Sequence, residues 1–376
     1  MNRLVGISVL VCLLQACGQE AAQPPSAPLS VVEILGGASS EGYERAWQPQ
    51  PLVWPVDHGA HDGFKNEWWY FTGNLSDAEG RAFGYQFTLF RSAIAPQKPA
   101  TDSAWSSNQI YLAHAALSDI DGQYFLYDER FSRGAMGLSG AQGEPLRFWL
   151  EDWSVSGGTD LGHFTVTIRV RAEGFTLDLA LDSTKPMVLH GDRGLSAKGH
   201  TPGNASYYYS FTRLRTEGAV QFGGETFQVQ GESWFDHEWS TSSLEPGQTG
   251  WDWFSLQLSD QSELMLFRLR HASDPGQDYS SGTLIGADGS VSPLQGDEFS
   301  IKVLDQWQNP ASGVRYPSGW TLRVPAQDLE LRVIPLQEDQ EIRASFRYWE
   351  GAADVSGSSN GASVTGRGYV ELTGYQ

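Results

Sequence analysis

Cysteine is almost absent from this sequence of 376 residues. The two cysteines, Cys12 and Cys17, both lie within the first 17 positions. A chain of this length buries a full hydrophobic core without covalent cross-links. Because no cysteine follows position 17, the folded part has no disulfide framework, no thiolate metal site and no thiol nucleophile.

Basic residues are also scarce. The sequence has 25 Lys and Arg against 45 Asp and Glu, so its formal charge is −20. An acidic surplus of this size repels phosphate backbones, and we therefore expect no nucleic-acid partner. A Gly-rich phosphate loop and a Gly-x-Gly-x-x-Gly fingerprint are both missing, which argues against a nucleotide-binding enzyme.

The N-terminal residues have the pattern of a bacterial lipoprotein signal. Arg3 precedes an apolar run at residues 4–14 that is too short to span a bilayer, and the sequence Leu-Gln-Ala-Cys follows, ending at Cys17. We predict a signal peptide at residues 1–16 and a lipidated Cys17 that begins a flexible tether at residues 17–41. An ordinary secretory signal is the alternative. The lipoprotein interpretation predicts a protein of the bacterial cell envelope that faces the periplasm and is attached to the outer membrane.

Alternation of apolar and polar residues dominates the chain after about residue 64. In residues 164–170 and 175–182, for example, every second residue is apolar. A period of two is typical of antiparallel strands with one buried face. No window has a convincing helical period, so we predict an all-β protein.

A weak internal repeat divides the folded body. The segment from Glu67 to Arg91 resembles the segment from Glu238 to Arg268, because each begins with Glu-Trp and ends with Leu-Phe-Arg. Residues 42–225 and 226–376 each have the length of a barrel of roughly eight to ten strands. We therefore predict two tandem antiparallel β-barrels with these boundaries.

Histidines, carboxylates and tryptophans concentrate in two short stretches. The first, residues 54–74, supplies six candidate ligand-binding residues, namely Asp57, His58, His61, Glu67, Trp68 and Trp69. The second, residues 231–255, supplies four more, namely Trp234, Trp239, Trp251 and Trp253. It also supplies the candidate catalytic residues Asp236, His237, Glu238 and Asp252.

A metal site is one interpretation of these stretches. His58 and His61 with Glu67, or Asp236 to Glu238, offer nitrogen and oxygen ligands. Neighbouring residues of a strand point to opposite faces, however, so Asp236, His237 and Glu238 do not bind one ion without a bulge. Side chains of these types also bond to turn backbone, and we predict no metal site.

Acid–base chemistry is a second interpretation. On a strand, Trp234, Asp236 and Glu238 share one face, and His237 lies on the other between two aromatic residues. A carboxyl group in an apolar, tryptophan-lined pocket has a raised pKa and can protonate a weak base such as an alkene. The aromatic faces would stabilise the resulting cation. A purely structural role, in which Trp plugs a barrel end and the acids anchor loops, is the alternative.

Nine motifs along the body point to a known family. They are DHGAH (57–61), NEWWYFTGNL (66–75), FGYQFTLFR (83–91), LHG (189–191), YYYSFTR (207–213), GESWFDHEWS (231–240), GWDWFSLQL (250–258), LMLFRLR (264–270) and GRGYVELTGY (366–375). In this order they resemble the AttH-like, lipocalin-like family related to carotenoid 1,2-hydratases. The resemblance spans residues 42–376. It implies two calycin-type (lipocalin-like) barrels that bind hydrophobic or isoprenoid ligands.

Two functions follow from the resemblance together with the signal. The first is a membrane-tethered lipoprotein that binds a lipid or terpenoid and serves the permease of an ABC transporter. The second is a hydratase or isomerase of the carotenoid 1,2-hydratase type that acts on a prenyl or carotenoid-like double bond. Neither function requires a cofactor, and we expect none.

Overall fold

The computed structural model describes residues 40–160, 162–241 and 244–376. These residues form β-strands almost throughout, with three single-turn 3₁₀ segments at Val56–His58, Pro275–Gln277 and Pro325–Gln327. The predicted all-β class is therefore confirmed. Among the described residues, no helix has the length and apolar content needed to cross a bilayer. The predicted signal peptide, Cys17 and residues 18–39 of the predicted tether lie outside this part of the chain.

The first sheet has 13 strands among the described residues. In chain order they are β1 (Asn66–Ser76), β2 (Ala82–Ala93), β3 (Gln109–Asp119), β4 (Tyr124–Arg133), β5 (Ser139–Gly143), β6 (Leu146–Leu150), β7 (Trp153–Asp160), β8 (His163–Arg171), β9 (Phe175–Ser183), β10 (Val188–Leu189), β11 (Leu195–Ala197), β12 (Ala205–Phe222) and β13 (Glu225–Ser240).

The second sheet has ten strands in the described part of the chain. They are β14 (Gln248–Leu258), β15 (Glu263–His271), β16 (Tyr279–Ile285), β17 (Val291–Gln295), β18 (Ser300–Gln308), β19 (Arg315–Val324), β20 (Leu329–Pro335), β21 (Glu341–Arg343), β22 (Arg347–Ser359) and β23 (Ala362–Thr373).

Both sheets are antiparallel and curl into barrel-like units with the same strand order. The first runs β4-β3-β2-β1-β13-β12-β9-β8-β7-β6-β5, and the second runs β17-β16-β15-β14-β23-β22-β20-β19-β18. In each sheet the first strand of the unit lies between its second strand and its last strand. The prediction of two tandem barrels is confirmed by this arrangement.

The chain leaves the first sheet later than the predicted boundary at residues 225/226. β13 starts at Glu225 but pairs with β1 and β12 over its length, so it belongs to the first sheet. The change of sheet falls between Ser240 and Gln248. Gly223 and Gly224, which lie just before the predicted boundary, form the turn of the β12–β13 hairpin and have left-handed backbone angles.

The strand order also corrects the internal repeat. β14 occupies the place in the second sheet that β1 occupies in the first, so Asp252 on β14 is the counterpart of Glu67 on β1. Glu238, which the sequence comparison had aligned with Glu67, lies on β13, whose counterpart is β23. The two Glu-Trp dipeptides thus lie on strands that do not correspond to each other, and their match is coincidental.

Each unit has its own core inside the curled sheet. The predicted alternation in β8 and β9 is present, since Phe164, Ile168, Leu177 and Leu181 are all completely buried. Alternation fails in β1 and in the second half of β13, where successive residues are nearly all buried. These segments have one face inside the first unit and the other against the second unit, so both faces are covered.

The two units pack together through the outer faces of their central strands. Apolar residues of β1, β12 and β13 meet residues of β14, β15, β22 and β23 in a shared cluster. The sheets approach closely at Gly84 on β2, where an added Cβ would lie 2.8 Å from the Cβ of Ala352. A second shared cluster joins Ala116 of β3 to Ile342, Phe346 and Tyr348. The junction is thus part of the folded core.

Candidate active site

β13 divides the second sequence motif between two compartments. Trp234, Asp236 and Glu238 point toward the junction, whereas Phe235 and Trp239 belong to the core inside the first unit. The period of two along a strand produces this division. The junction side of β13 borders a cavity with carboxyl groups in its wall.

The junction holds a cavity of about 80 Å³ that is partly open to solvent. Its wall combines eight aromatic side chains with four carboxyl groups and one ammonium group. The lining residues are Trp68, Tyr70, Thr88, Phe90, Lys198, Tyr208, Asp236, Glu238, Ser240, Trp251, Trp253, Phe267, Leu269, Tyr348, Glu350 and Glu371. A concave, mostly apolar cavity with a few convergent polar groups is the usual form of a small-molecule site.

Asp236 is one of the two carboxyl groups on the first-sheet wall, the other being Glu238. Tyr208 Oη donates to its Oδ2 at 2.8 Å, Trp234 Nε1 donates to Oδ1 at 2.7 Å, and Ser210 Oγ also donates to Oδ1. Burial raises the pKa of Asp236 to about 7, although these three bonds favour the ionised form. At neutral pH Asp236 can therefore either accept or donate a proton.

A buried histidine stands behind Asp236. His190 Nε2 lies 2.7 Å from Ser210 Oγ, and its Nδ1 lies 2.8 Å from Thr283 Oγ1 on the second sheet. Burial lowers the pKa of His190 to about 3, so the ring is neutral. The chain from Thr283 through His190 and Ser210 to Asp236 fixes the orientation of the carboxylate.

Lys198 is the one cation among the residues that line the cavity. Its Nζ lies 2.7 Å from Oε1 of Glu238 and 4.4 Å from the ring centre of Phe267. The ammonium group therefore neutralises Glu238 and leaves the other three carboxyl groups without a counter-charge from the wall.

The second-sheet wall carries a pair of glutamates. Glu350 on β22 and Glu371 on β23 face each other in register across neighbouring strands. Burial raises the pKa of Glu371 to about 8, with a contribution from the charges of Asp236 and Glu238. Burial and the charge of Glu371 also raise the pKa of Glu350 well above its ordinary value. This wall therefore holds protonated carboxyl groups at neutral pH.

The interior of the first unit contains a different polar cluster, centred on Glu67. Arg91 Nε donates to Glu67 Oε2 at 2.7 Å, His61 Nδ1 lies 2.6 Å from Oε1, and His237 Nε2 lies 2.9 Å from Oε1. Burial would raise the pKa of Glu67, but Arg91 and His61 outweigh it and hold the pKa well below its ordinary value. Glu67 is thus ionised and surrounded by donors.

The histidines of this cluster differ in charge. Burial alone would lower the pKa of His61, but Glu67 and Asp57 outweigh it and raise the pKa to about 9. Burial lowers the pKa of His237 to about 4 and that of His58 to about 3. His61 is therefore a cation that balances Asp57, and the other two rings are neutral.

A single ion could geometrically reach His61, Glu67 and His237, whose ligand atoms lie within 4.8 Å of one another. Glu67 already bonds to Arg91, and His61 is protonated near neutral pH. Metal ligation requires neutral imidazole and a free carboxylate. The cluster is therefore an internal ion network, and the charges in it already balance.

Comparison with known proteins places the chain in a family. The AttH-like family model matches residues 45–375. The chain belongs to the AttH-like family. A crystal structure of a protein described as AttH from Nitrosomonas europaea is 34% identical, with a TM-score of 0.78 over 89% of this chain and all of that one.

Two further relatives of this AttH-like protein are named for chemistry with water. The fold is shared with kievitone hydratase from Nectria haematococca at 14% identity and a TM-score of 0.66, covering 88% of this chain and 98% of that one. Dehydratase asqC from Emericella nidulans is 21% identical over 221 residues, which are 55% of this chain. The match spans 61% of the length of that curated relative.

The predicted site residues of the AttH-like chain separate into two groups. Asp236, Glu238, Trp68, Trp251 and Trp253 line the cavity, and Trp234 bonds to Asp236 beside it. The residues that lie elsewhere are Asp57, His58, His61, Glu67, Trp69, His237 and Trp239, all at or inside the first unit, and Asp252, inside the second. Each of the two sequence stretches thus contributes to the cavity only through residues on one face of its strands.

Two of the predicted catalytic residues therefore lie away from the cavity. His237 is on the inner face of β13 and bonds to Glu67 and Tyr209. Asp252 is on the inner face of β14, where Arg268 Nη2 lies at 2.5 Å and Tyr375 Oη donates at 2.8 Å. Both are paired inside a unit, as the alternation along a strand requires.

Sequence reasoning missed several residues that line the cavity of this AttH-like protein or stand behind its wall. Glu371, Tyr208 and His190 lie within motifs that carried the family resemblance, so those motifs were a usable signal. Glu350 and Lys198 lie outside every motif. They reach the cavity only because β22 and the loop after β11 fold against the first sheet.

Proposed function

We propose that this protein is a hydratase or dehydratase, an enzyme that adds water across a double bond or removes it, and that its active site is the junction cavity. Two relatives carry these activities in their names, a hydratase of the same fold and a dehydratase. The observation that carries the proposal is the set of carboxyl groups with raised pKa that face each other across an aromatic-lined cavity.

Asp236 and Glu371 have complementary roles in this proposal. Asp236 receives three donated hydrogen bonds, which favour its carboxylate and suit it to act as the base. Glu371 lies among other carboxyl groups, which keeps its proton bound and suits it to act as the acid. Two titratable groups with pKa values on either side of the working pH are the usual pattern of acid–base pairs.

The proposed hydration proceeds in two balanced steps. The Glu371 carboxyl donates its proton to one carbon of the double bond, and positive charge develops on the adjacent carbon. Water attacks that carbon and gives a proton to the Asp236 carboxylate. In dehydration the Asp236 carboxyl protonates the departing hydroxyl group, and the Glu371 carboxylate removes the proton from carbon.

The aromatic wall contributes to the same reaction. Trp68, Trp251 and Trp253 border the cavity from both sheets. The faces of aromatic rings stabilise a nearby cation by about 0.5–2 kcal/mol each. An apolar substrate with a prenyl or carotenoid-like double bond fits this lining, which has few polar groups apart from the carboxyls and Lys198.

The other function predicted from the sequence has less support. No relative described above is named as a lipid carrier, whereas two are named for hydration or dehydration. Lipidation of Cys17, attachment to the outer membrane and a transporter partner stay predictions, since Cys17 lies outside the described residues.

The test measures incorporation of water-derived oxygen. Residues 40–376 are incubated with kievitone or with lycopene, an acyclic carotenoid, in ¹⁸O-labelled water, and products are analysed by mass spectrometry. We expect Asp236→Asn and Glu371→Gln to lower the rate by roughly 10²–10⁴. Glu330→Gln, which changes an exposed carboxyl of β20, is the matched control and should keep the wild-type rate.

The pH profile gives a second readout. Hydration should slow below the Asp236 pKa of about 7 and above the Glu371 pKa of about 8. Wild-type turnover in both cavity variants would contradict the proposed roles. Failure of both compounds to give product or to quench tryptophan fluorescence would contradict the proposed reaction.

A further inference from the structure

The carboxyl group of Glu350 is shielded from water. The residue is 1% exposed, and its oxygens make no hydrogen bond of normal geometry among the described residues. Tyr348 lies two residues before Glu350 on the same face of β22, and the phenols of Tyr348 and Tyr70 line the same cavity as Glu350. A proton that leaves Glu350 away from the cavity must therefore pass through one of these neighbours.

Tyr348 is linked to a buried histidine of the other sheet. His114 on β3 is completely buried, and its Nδ1 lies 2.9 Å from Tyr348 Oη. The imidazole is stacked on the Tyr348 ring at 5.6 Å and lies 4.8 Å from the Phe346 ring. Aromatic packing thus holds the histidine in contact with the phenol.

The second nitrogen of His114 contacts a carboxyl group at the surface. Nε2 lies 2.7 Å from Oε2 of Glu129 on β4, whose side chain is 23% exposed. The backbone N–H and the Oγ of Ser345 donate to the two Glu129 oxygens at 3.1 and 2.6 Å. Burial would raise the pKa of Glu129, but the bonds from His114 and Ser345 outweigh it and lower the pKa. Glu129 is therefore an ionised acceptor in contact with solvent.

We propose that Tyr348, His114 and Glu129 form a proton path between the Glu350 carboxyl and the solvent. The path goes beyond the proposed function, and its existence does not depend on that function. Only its purpose rests on the proposed function, because the path would restore the protonation of the Glu350–Glu371 pair between turnovers. The positioning residues of the path are Tyr348 and His114, since neither needs to touch the reacting carbon.

Transfer along the path conserves protons. Glu350 gives its proton to the Tyr348 oxygen while the Tyr348 hydroxyl proton passes to His114 Nδ1. The proton on His114 Nε2 passes at the same time to the Glu129 carboxylate. His114 changes tautomer, Tyr348 stays neutral, and one proton has moved from the cavity wall to the surface.

The other buried histidine at the junction provides a matched comparison. His190 also connects the two sheets, but its Nδ1 is bonded to Thr283, which is completely buried. Its chain therefore ends inside the protein and leads to Asp236, not to Glu350. Tyr127 on β4 is a matched phenol, because it lies beside Tyr348 in the same cluster and bonds to Arg343, not to His114.

The test follows Glu350 by infrared spectroscopy without substrate. The background is Glu371→Gln, which removes the neighbouring carboxyl that borders the cavity. After a rapid jump to alkaline buffer, the loss of the protonated-carboxyl band is timed, and the band is assigned by adding Glu350→Gln. We expect Tyr348→Phe and His114→Gln to slow the loss by about tenfold or more, and Glu129→Gln to slow it less. Tyr127→Phe and His190→Gln should leave the rate unchanged.

A structural role for these residues would give a different result. It would shift the equilibrium pKa of Glu350 without slowing the approach to equilibrium, and imidazole added to His114→Ala would not restore the rate. An unchanged rate in Tyr348→Phe and Glu129→Gln, or no protonated band for Glu350, would overturn the path. If these variants release the proton slowly but the wild type has no hydratase activity, the proposed function is wrong and the proton path still holds.

Discussion

Two groups of buried charges lie on opposite faces of the β1–β13 pair, and they differ in how their charges are balanced. On the inner face, Glu67 and Asp57 are matched by Arg91 and protonated His61. On the outer face, four carboxyl groups of the cavity wall are accompanied by Lys198 alone. The inner charges stay ionised, whereas burial on the outer face raises the pKa of Asp236 to about 7 and that of Glu371 to about 8, so these two groups can hold protons near neutral pH. Counter-charge, more than burial, separates a structural network from a reactive one.

The second unit supports this distinction. Asp252, the counterpart of Glu67, is completely buried and is surrounded by Arg268, Arg270 and Tyr375. An acid paired with arginine thus occurs at the same place inside both units. Because the two units repeat it, we interpret the pair as a stabilising feature of the fold.

The largest expected difference is in stability. Glu67→Gln should lower the free energy of unfolding by about 3–5 kcal/mol, because it leaves Arg91 as an unbalanced buried cation. Asp236→Asn should cause no comparable loss, since Asp236 has no cationic partner. Urea unfolding followed by tryptophan fluorescence measures both variants. Equal losses of unfolding free energy in the two variants would contradict the proposed difference between the inner and outer faces.

The pH dependence of stability is the next test. The folded state binds a proton at Asp236 up to a pKa of about 7, whereas the unfolded chain releases it at 3.8. Between these values the unfolded state binds fewer protons, so the free energy of unfolding falls as pH rises. The stability of the wild type relative to Asp236→Asn should therefore fall by on the order of 4 kcal/mol across this window. Below and above it the difference should be constant, and a difference that rises with pH would contradict the assignment.

The smallest expected effect concerns metal. Zinc added to the protein should not bind at His61, Glu67 and His237, because the carboxylate is bonded to Arg91 and His61 is protonated. Isothermal titration calorimetry checks this, with His61→Ala as the control variant. Zinc binding that is lost in His61→Ala would show that the inner network opens to an ion.

Part of this site was open to prediction from sequence. The period of two along β13 places Asp236 with Glu238 and separates both from His237, and the structure has this arrangement. The same rule applied to β14 would have separated Asp252 from Trp251 and Trp253. The boundary predicted at residues 225/226 rests on the lengths of the two halves, and length carries no information on the pairing of β13 with β1.

The remaining site residues depended on long-range contacts. Glu350 and Glu371 are more than a hundred residues from Asp236, and nothing in their local sequence marks them as partners. His114 lies in the half of β3 where successive residues are all buried, and Glu129 lies on β4, where nearly all residues are half-buried or exposed. Local pattern carries no information on which face of one sheet covers another.

The sequence by itself determined the all-β class, the two similar units, the family and the face of the strand on which each side chain lies. These properties follow from periodicity and motif order, which are local. Only the tertiary structure decided that the outer faces of β1 and β13 meet β14, β22 and β23 around a cavity. That contact removes four carboxyl groups of the two sheets from water and supplies one cation, Lys198, and the raised pKa values of Asp236, Glu350 and Glu371 are the physical result.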